Sequence, residues 1–599
     1  MTKYLLYRTG LCLLFCLAAG TSPASMTIQS LSGAVTATEI SSFKNFMAGE
    51  TPPSGQTYDN TIADGTAGME AEALGLMYEV TNDPALLDQM IVYADDFISL
   101  RNDLTSAVNG GRRVMWDGNI DPVWLTKPAT NSDGSVYSQA GYAGCENNDI
   151  VGHIAFCARL ILEKPTLWNT TVPDGNPHGY GVTYYQRATN YMAQMDFIQD
   201  AYMLKWFINP STYQIVAPTS SAWTAENESV NAYNREMMFL NGFQRLSECH
   251  QLLGDNPARV TEYDAIVKAT INVFIAAQQS YTTNSLPVYT WDYAPGSGTE
   301  DNTLHSTYDI WGITRAWESG RYGITNATMV PFANTLRYVM NVATNHISYY
   351  VNGTSSPNST RNFIYPGWLP VANFGSLNYF IMANMDIAQG SQASTVIYDA
   401  LILWVKNARY TGVYPTNDNT ADYTISTPWM QTVGGGSNVT AQVTVNPLAG
   451  FTGTVNLSVN HLPNGVAASF NPGSITSGSG VSTLTLTASN AAAGGVFGLT
   501  NGLTVVATSG IGTRTAPITL VVKPRPTILT TSLTRTNFVI MGTNGFSNAT
   551  FYLVSSTNLT LPLVQWTPLA TNGFGTNGTF NATNPIPPGG SCRYFSIRY

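Results

Sequence analysis

The chain has 599 residues, of which 44% are hydrophobic and only 11% charged, with a net charge of −10 and a pI near 5.1. At ~100–200 residues per domain that length is several domains, and the charged fraction lies well below the ~25% of ordinary soluble proteins, so Asn, Thr, Ser, Gly and Tyr must supply the polar surface. The acidic balance argues against nucleic acid or an anionic membrane as the main partner, but leaves open a polyanionic substrate held at a local basic site.

Lys3 and Arg8 precede the apolar run 11–19, and small residues follow, which is the pattern of an export signal over residues 1–25. No later run approaches the ~20 apolar residues of a membrane span, so the expected product is secreted, periplasmic or at the cell surface. Cys12 and Cys16 fall within the signal. Cys145, Cys157, Cys249 and Cys592 lack zinc-type spacing, which leaves either one disulfide among the first three or buried free thiols.

Between about 64 and 410, apolar residues recur at three- and four-residue spacing over 68–81, 84–101, 148–163, 181–207, 230–253, 260–279, 305–320, 329–345 and 393–409, which predicts paired helices. Asn82-Asp83-Pro84 and Gly254-Asp255-Asn256-Pro257 separate one helix from the next. Repeated hairpins predict a mainly α fold for residues 26–425, either an α-solenoid or an incomplete α/α toroid. Aromatic-rich loops at 109–141, 285–300 and 351–369 would gather at one end and line a cleft.

After Tyr414 the sequence turns to alternating Val, Thr and Ser. This predicts an immunoglobulin-like β-sandwich over 434–523, with Gly434-Gly435-Gly436 as a linker, and a small β-module over 527–599. Strands are expected near 537–541, 549–555 and 593–597, with anchoring, spacing or secretion as their work.

Three clusters could carry chemistry. In Glu300-Asp301-Asn302-Thr303-Leu304-His305-Ser306-Thr307-Tyr308-Asp309, a helix capped by Thr303 would set His305, Tyr308 and Asp309 on one face, with the acids at its N-terminus. A capped helix with a core histidine explains the same residues. In Cys145-Glu146-Asn147-Asn148-Asp149, the asparagines either cap a helix or grip sugar hydroxyls or a carboxylate. In Tyr233-Asn234-Arg235, the arginine at a helix mouth suits a surface ion pair or an anionic sugar, which a guanidinium matches bidentately. Asp95-Asp96 could form a glycosidase pair, although neighbours on a helix point apart.

The run Asn234–Met238 leading to Leu252-Leu253-Gly254-Asp255 resembles the alginate-lyase-like polysaccharide lyases, the α/α-toroid group that includes alginate and glucuronan lyases. So do Glu300-Asp301 followed by His305, Tyr308-Asp309 and Arg315–Gly320, then Phe332–Leu336 and Trp368. The resemblance implies β-elimination at a uronic acid, with an anionic polysaccharide as partner. No cofactor is expected, and Asp/Asn-rich turns such as Asn417-Asp418-Asn419 suit a structural calcium but also occur without one. The resemblance also implies Tyr308 as acid and base, His305 as base or neutraliser, and Asn148 and Arg235 holding the carboxylate. Arg112, Arg113, Trp116, Asn147, Glu226, Tyr365 and Trp368 would line the subsites. Related lyases often carry histidine directly after the paired asparagines, where this chain has Asp149, with His153 or His178 as substitutes. The alternatives are a glycoside hydrolase using two of Asp95, Glu226, Glu228 and Asp309, and a non-catalytic carbohydrate-binding protein.

Overall fold

The computed structural model describes residues 26–54, 59–106, 112–126, 140–224, 232–354, 366–389, 395–416, 421–489, 492, 499–534, 536–546, 549–585 and 593–599. The export segment, Glu226, Glu228, Tyr365, Cys592 and the 417–419 turn lie outside the described residues.

The chain enters through α1 (Ala37–Met47), closed by a reciprocal Thr36–Glu39 capping box. Then come α2 (Asp59–Ile62), α3 (Thr66–Thr81) and α4 (Pro84–Ser99). Asp83 caps α4 by accepting from the Ala85 amide, and Pro84 occupies the first turn, where no amide is needed. The series continues with α5 (Asn147–Leu162), α6 (Tyr184–Ile198), α7 (Leu204–Phe207), α8 (Ser221–Thr224), α9 (Tyr233–Leu253) and α10 (Pro257–Ala276). Gly254, at φ +64°, ends α9, and Asn256 caps α10. Helices α11 (Ser306–Glu318), α12 (Asn326–Thr335), α13 (Leu377–Gln389) and α14 (Thr395–Thr411) complete the region.

Two stretches differ from expectation. The aromatic loop at 285–300 begins in a hairpin, β1 (Gln279–Thr283) with β2 (Leu286–Thr290), turned by Asn284 and Ser285, both at positive φ. The helix expected over 329–345 stops early: α12 passes into a π turn at Leu336–Met340, and Asn341 leaves helical geometry to start β3 (Asn341–Ala343), which Asn345 at φ +57° turns into β4 (His346–Ile347). The run 181–207 is helical from α6 to α7 through a π turn at Gln199–Met203.

Helix α3 packs on α4, α5 and α14, α5 on α6 and α9, and α9 on α10 and α11. Helix α11 meets the 3-10 segment Pro366–Asn373, which touches α13 and α14. The last helix therefore returns to the first. A fully buried Lys406–Glu39 ion pair, at 2.8 Å to both oxygens, ties α14 to α1.

Strands β5 (Asp422–Ser426), β6 (Met430–Gly434), β7 (Asn438–Leu448), β8 (Val455–Asn460), β9 (Val466–Asn471), β10 (Ser474–Ile475), β11 (Gly480–Ala488), β12 (Leu499–Ser509) and β13 (Gly512–Lys523) form two sheets, ordered β10-β8-β12-β13-β6 and β5-β7-β11-β9. The sandwich thus starts at Asp422, not at 434. Gly434, expected in a linker, ends β6, whose residues pair in parallel with β13. Arg514 holds Asp422 across the core. The last region stacks β14 (Thr527–Leu533), β15 (Asn537–Thr543) and β18 (Phe580–Pro585) in one sheet, and β16 (Thr550–Ser556), β17 (Thr567–Gly573) and β19 (Tyr594–Arg598) in another, around Phe551, Phe574 and Phe580.

The sandwich docks beyond the C-terminal ends of α11 and α14. Thr515 donates its amide to the Gly412 carbonyl, and Asn326 donates to Thr424 Oγ1. Among the described residues, no helix is long and apolar enough to cross a membrane.

Candidate active site

The crossings among α5, α9 and α11 are made close by glycine. A Cβ on Gly242 would lie 2.5 Å from Asn148 Oδ1, and one on Gly312 would lie 2.7 Å from Met237 Cβ. These approaches bring the N-terminal turns of the three helices together. The Glu236 carboxyl bears electrostatically on Cys145 before α5, on Tyr233 in α9 and on Asp309 in α11.

At α11, the capping position is taken by His305 rather than Thr303. His305 and Tyr308, three residues apart, share a face, with the histidine side chain 31% exposed and the tyrosine half-buried. Asn302 fixes the ring. Its Oδ1 accepts from the Leu304 and His305 amides at 2.9 and 3.2 Å, so its NH2 group faces His305 Nδ1 at 3.0 Å. An NH2 donor makes Nδ1 the acceptor, and the neutral ring then carries its proton on Nε2. No described residue bonds Nε2, and the Tyr293 ring lies 4.6 Å away, centroid to centroid.

Behind the ring, Asp301 Oδ1 stands 3.6 Å from Nδ1. Asp301 and Asp309 both accept from the Trp291 indole N–H, at 3.1 and 2.8 Å. Burial, and then the neighbouring Asp301, push Asp309 well above the carboxylate range. Asp309 is therefore biased toward the neutral acid. Asp309 is fully buried and supports the site from inside.

On α9, Arg235 is half-buried and its carbonyl lies 3.9 Å from Cys145 Sγ. Glu236 beside it is 5% exposed, and no described residue hydrogen-bonds its carboxyl. Burial pushes it up to about 8, so it is mostly protonated at neutral pH. In the sequence, Glu236 is only one member of the Asn234–Met238 run. Its signal is its place, one residue past Arg235 in the first turn of a strongly apolar helix.

Other expected site residues lie elsewhere. Asn148 is fully buried, donating to the Phe239 carbonyl and accepting from Gln199, so its amide joins helices and is not offered to a sugar. Asn147 is equally buried between Asp59 and the Trp124 amide. Trp368 is enclosed, bonded to Ser306 and stacked on Trp291, which excludes it as a stacking platform in this arrangement. His153 has one nitrogen 3.0 Å from Glu72 and the other 2.8 Å from the Ala63 carbonyl, and His178 faces Asp96 at 3.2 Å. Asp95 is locked by Arg187 and Tyr191.

Trp116 is half-buried and packs with Trp206 and Trp223 at 4.6 and 5.6 Å, its indole N–H bonded to Tyr202. Arg112 is exposed and Arg113 half-buried on the same loop, which Asn102 anchors through the Arg113 backbone. Cys145, Cys157 and Cys249 are free and buried, so no disulfide joins them. Among the described residues, no group of three His, Cys, Asp or Glu side chains is placed to hold a metal ion.

No protein-family profile and no curated protein matches this chain. Among solved structures, titin domains Z1Z2 in complex with telethonin are similar at 16% identity, over 30% of this chain and 95% of that one, with a TM-score of 0.14. The surface-layer protein SbsC, domains 1–6, is similar at 12% identity over 28% and 26%, with a TM-score of 0.14. A marsupial T cell receptor is similar at 13% identity over 30% and 58%, with a TM-score of 0.12. At such scores these likenesses carry no argument about fold or function.

Proposed function

We propose that the helical region is an α/α toroid and that the N-terminal mouth of α9 and α11 is the active site of a secreted polysaccharide lyase acting on a uronate-containing polysaccharide. The observation that carries this reading is the shared, half-open face of His305 and Tyr308, with the histidine tautomer set by Asn302. The return of α14 to α3 supports the toroid.

In β-elimination, the substrate carboxylate must be neutralised before the adjacent C5 proton becomes acidic. Protonated Glu236, Arg235 and the Nε2–H of His305 are the donors for that task. Tyr308, as phenolate, takes the C5 proton. The C5–H electron pair forms the C4=C5 double bond, the C4–O bond breaks, and the departing oxygen takes the proton back from Tyr308. Trp116, Arg112 and Arg113 suit the flanking sugars by stacking and charge.

Glu236 also favours a second reading. A carboxyl held near 8 is a fit general acid for a glycoside hydrolase, with another carboxylate opposite it. Incubation with a panel of polyuronates separates the two. The lyase forms a conjugated, ultraviolet-absorbing sugar end, whereas reducing ends without that absorbance establish the hydrolase and defeat the lyase.

A further inference from the structure

A cavity of about 730 Å³ lies at the opposite end of α11, between the helical region and the sandwich. That volume is within the range of small-molecule pockets. Arg315 lines it, its guanidinium 5.3 Å from the Trp311 ring centroid. Elsewhere the buried arginines hold carboxylates: Arg101 with Asp103, Arg187 with Asp95 and Asp174, Arg245 with Glu72, and Arg514 with Asp422. Arg315 has no such partner among the described residues, although five glutamates share the cavity wall.

Four of those glutamates are engaged. Glu72 is gripped by Arg245, Glu79 by Arg159 and the Trp404 indole, Glu248 by Gln244, and Glu318 by the Tyr414 hydroxyl. Burial raises Glu163, 3.6 Å from Arg159, and burial pushes Glu318 up to about 7, so both tend toward the neutral acid. Arg315, pressed by burial and then by the neighbouring Arg245, is lowered to about 10 and still charged at neutral pH. Glu72, Asp149 and Glu318 act on it electrostatically, yet none of them is close enough to form an ion pair with its guanidinium. The rest of the wall is of sugar-binding type, with Trp404 and Trp429 rings and the amides of Asn407 and Asn373, whose Oδ1 is buried without a partner.

We infer that this cavity is a binding site for an acidic saccharide, its carboxylate held by Arg315 and its ring set among the tryptophans and amides. A guanidinium forks onto a carboxylate with two parallel hydrogen bonds, and withdrawal from water strengthens the contact. The site shares no residue with the mouth at the other end and does not depend on cleavage there.

The test is calorimetric titration of the full chain with glucuronate, glucose and inorganic phosphate. Saturable glucuronate binding is expected, at least tenfold tighter than either of the others. Arg315→Gln should weaken it tenfold or more, and Tyr308→Phe, at the far mouth, should leave it unchanged. If Arg315→Gln does not melt cooperatively, Asn407→Ala serves in its place, with a weakening of several-fold. The proposal is overturned if glucuronate does not bind, if phosphate binds as well, or if the cavity variant binds like the parent. Loss of binding in Tyr308→Phe would move the ligand to the mouth and also overturn it.

Discussion

Two histidine clusters in the helical region are built from the same residue types and end differently. His153 is 4% exposed, both ring nitrogens are engaged, and Glu72 beside it is also held bidentately by Arg245. Burial opposes ionisation of Glu72, and the Arg245 guanidinium overcomes it, holding the carboxyl well below its usual range. His305 is 31% exposed and has one nitrogen fixed, and the helix it opens carries Asp309, on which Glu236 bears, an acid whose carboxyl no described residue hydrogen-bonds. The first cluster is a completed structural network. The second leaves donors directed at whatever enters. A histidine and a carboxylate therefore mark a reactive site only where the network is left incomplete.

Substitutions can break that contrast. Arg245→Met strands a buried carboxylate and should cost ~3–5 kcal/mol in urea unfolding, as expected for a buried pair that loses one member. His305→Ala should lower turnover by about 100-fold, within the range of general acid–base groups, and leave the melting temperature near that of the parent. His305→Gln keeps an N–H donor near the Nε2 position and should retain more turnover than the alanine variant. Equal losses in the two would count against the donor role.

Glu236→Gln sharpens the contrast through pH. The carboxyl's folded value, about 8, lies above its ordinary value of 4.5, so the native state binds more protons between those limits. Stability therefore falls as pH rises through that window, and the whole penalty is present above about 8. The glutamine variant should lose this slope, and a variant with an unchanged pH–stability profile would show that Glu236 is not held as an acid. The smallest effect is expected far from both clusters. Asp83→Ala, which removes the α4 cap, should cost about 1 kcal/mol in thermal unfolding.

Local chemistry made much of the fold legible. Asp83-Pro84 and Gly254 with Asn256-Pro257 mark helix ends with side chains and backbone geometry that act within a few residues. Expectation failed where the deciding contact is remote. The start of the sandwich at Asp422 depends on Arg514, 92 residues on. The burial of Asn148 depends on the Phe239 carbonyl, 91 residues on. Asp301 reads in sequence as a helix-start charge, whereas in the fold it stands behind the His305 ring and helps push the Asp309 carboxyl upward. Glu236 stayed hidden because a missing partner leaves no mark in a sequence.

The most direct test of the central claim is the turnover of Tyr308→Phe on a polyuronate that the parent cleaves, followed by ultraviolet absorbance and paired with a melting curve. The substitution removes one hydroxyl and little volume. The proton-transfer role predicts a loss of about 100-fold or more with an unchanged melting temperature. Turnover at the parental rate would contradict it.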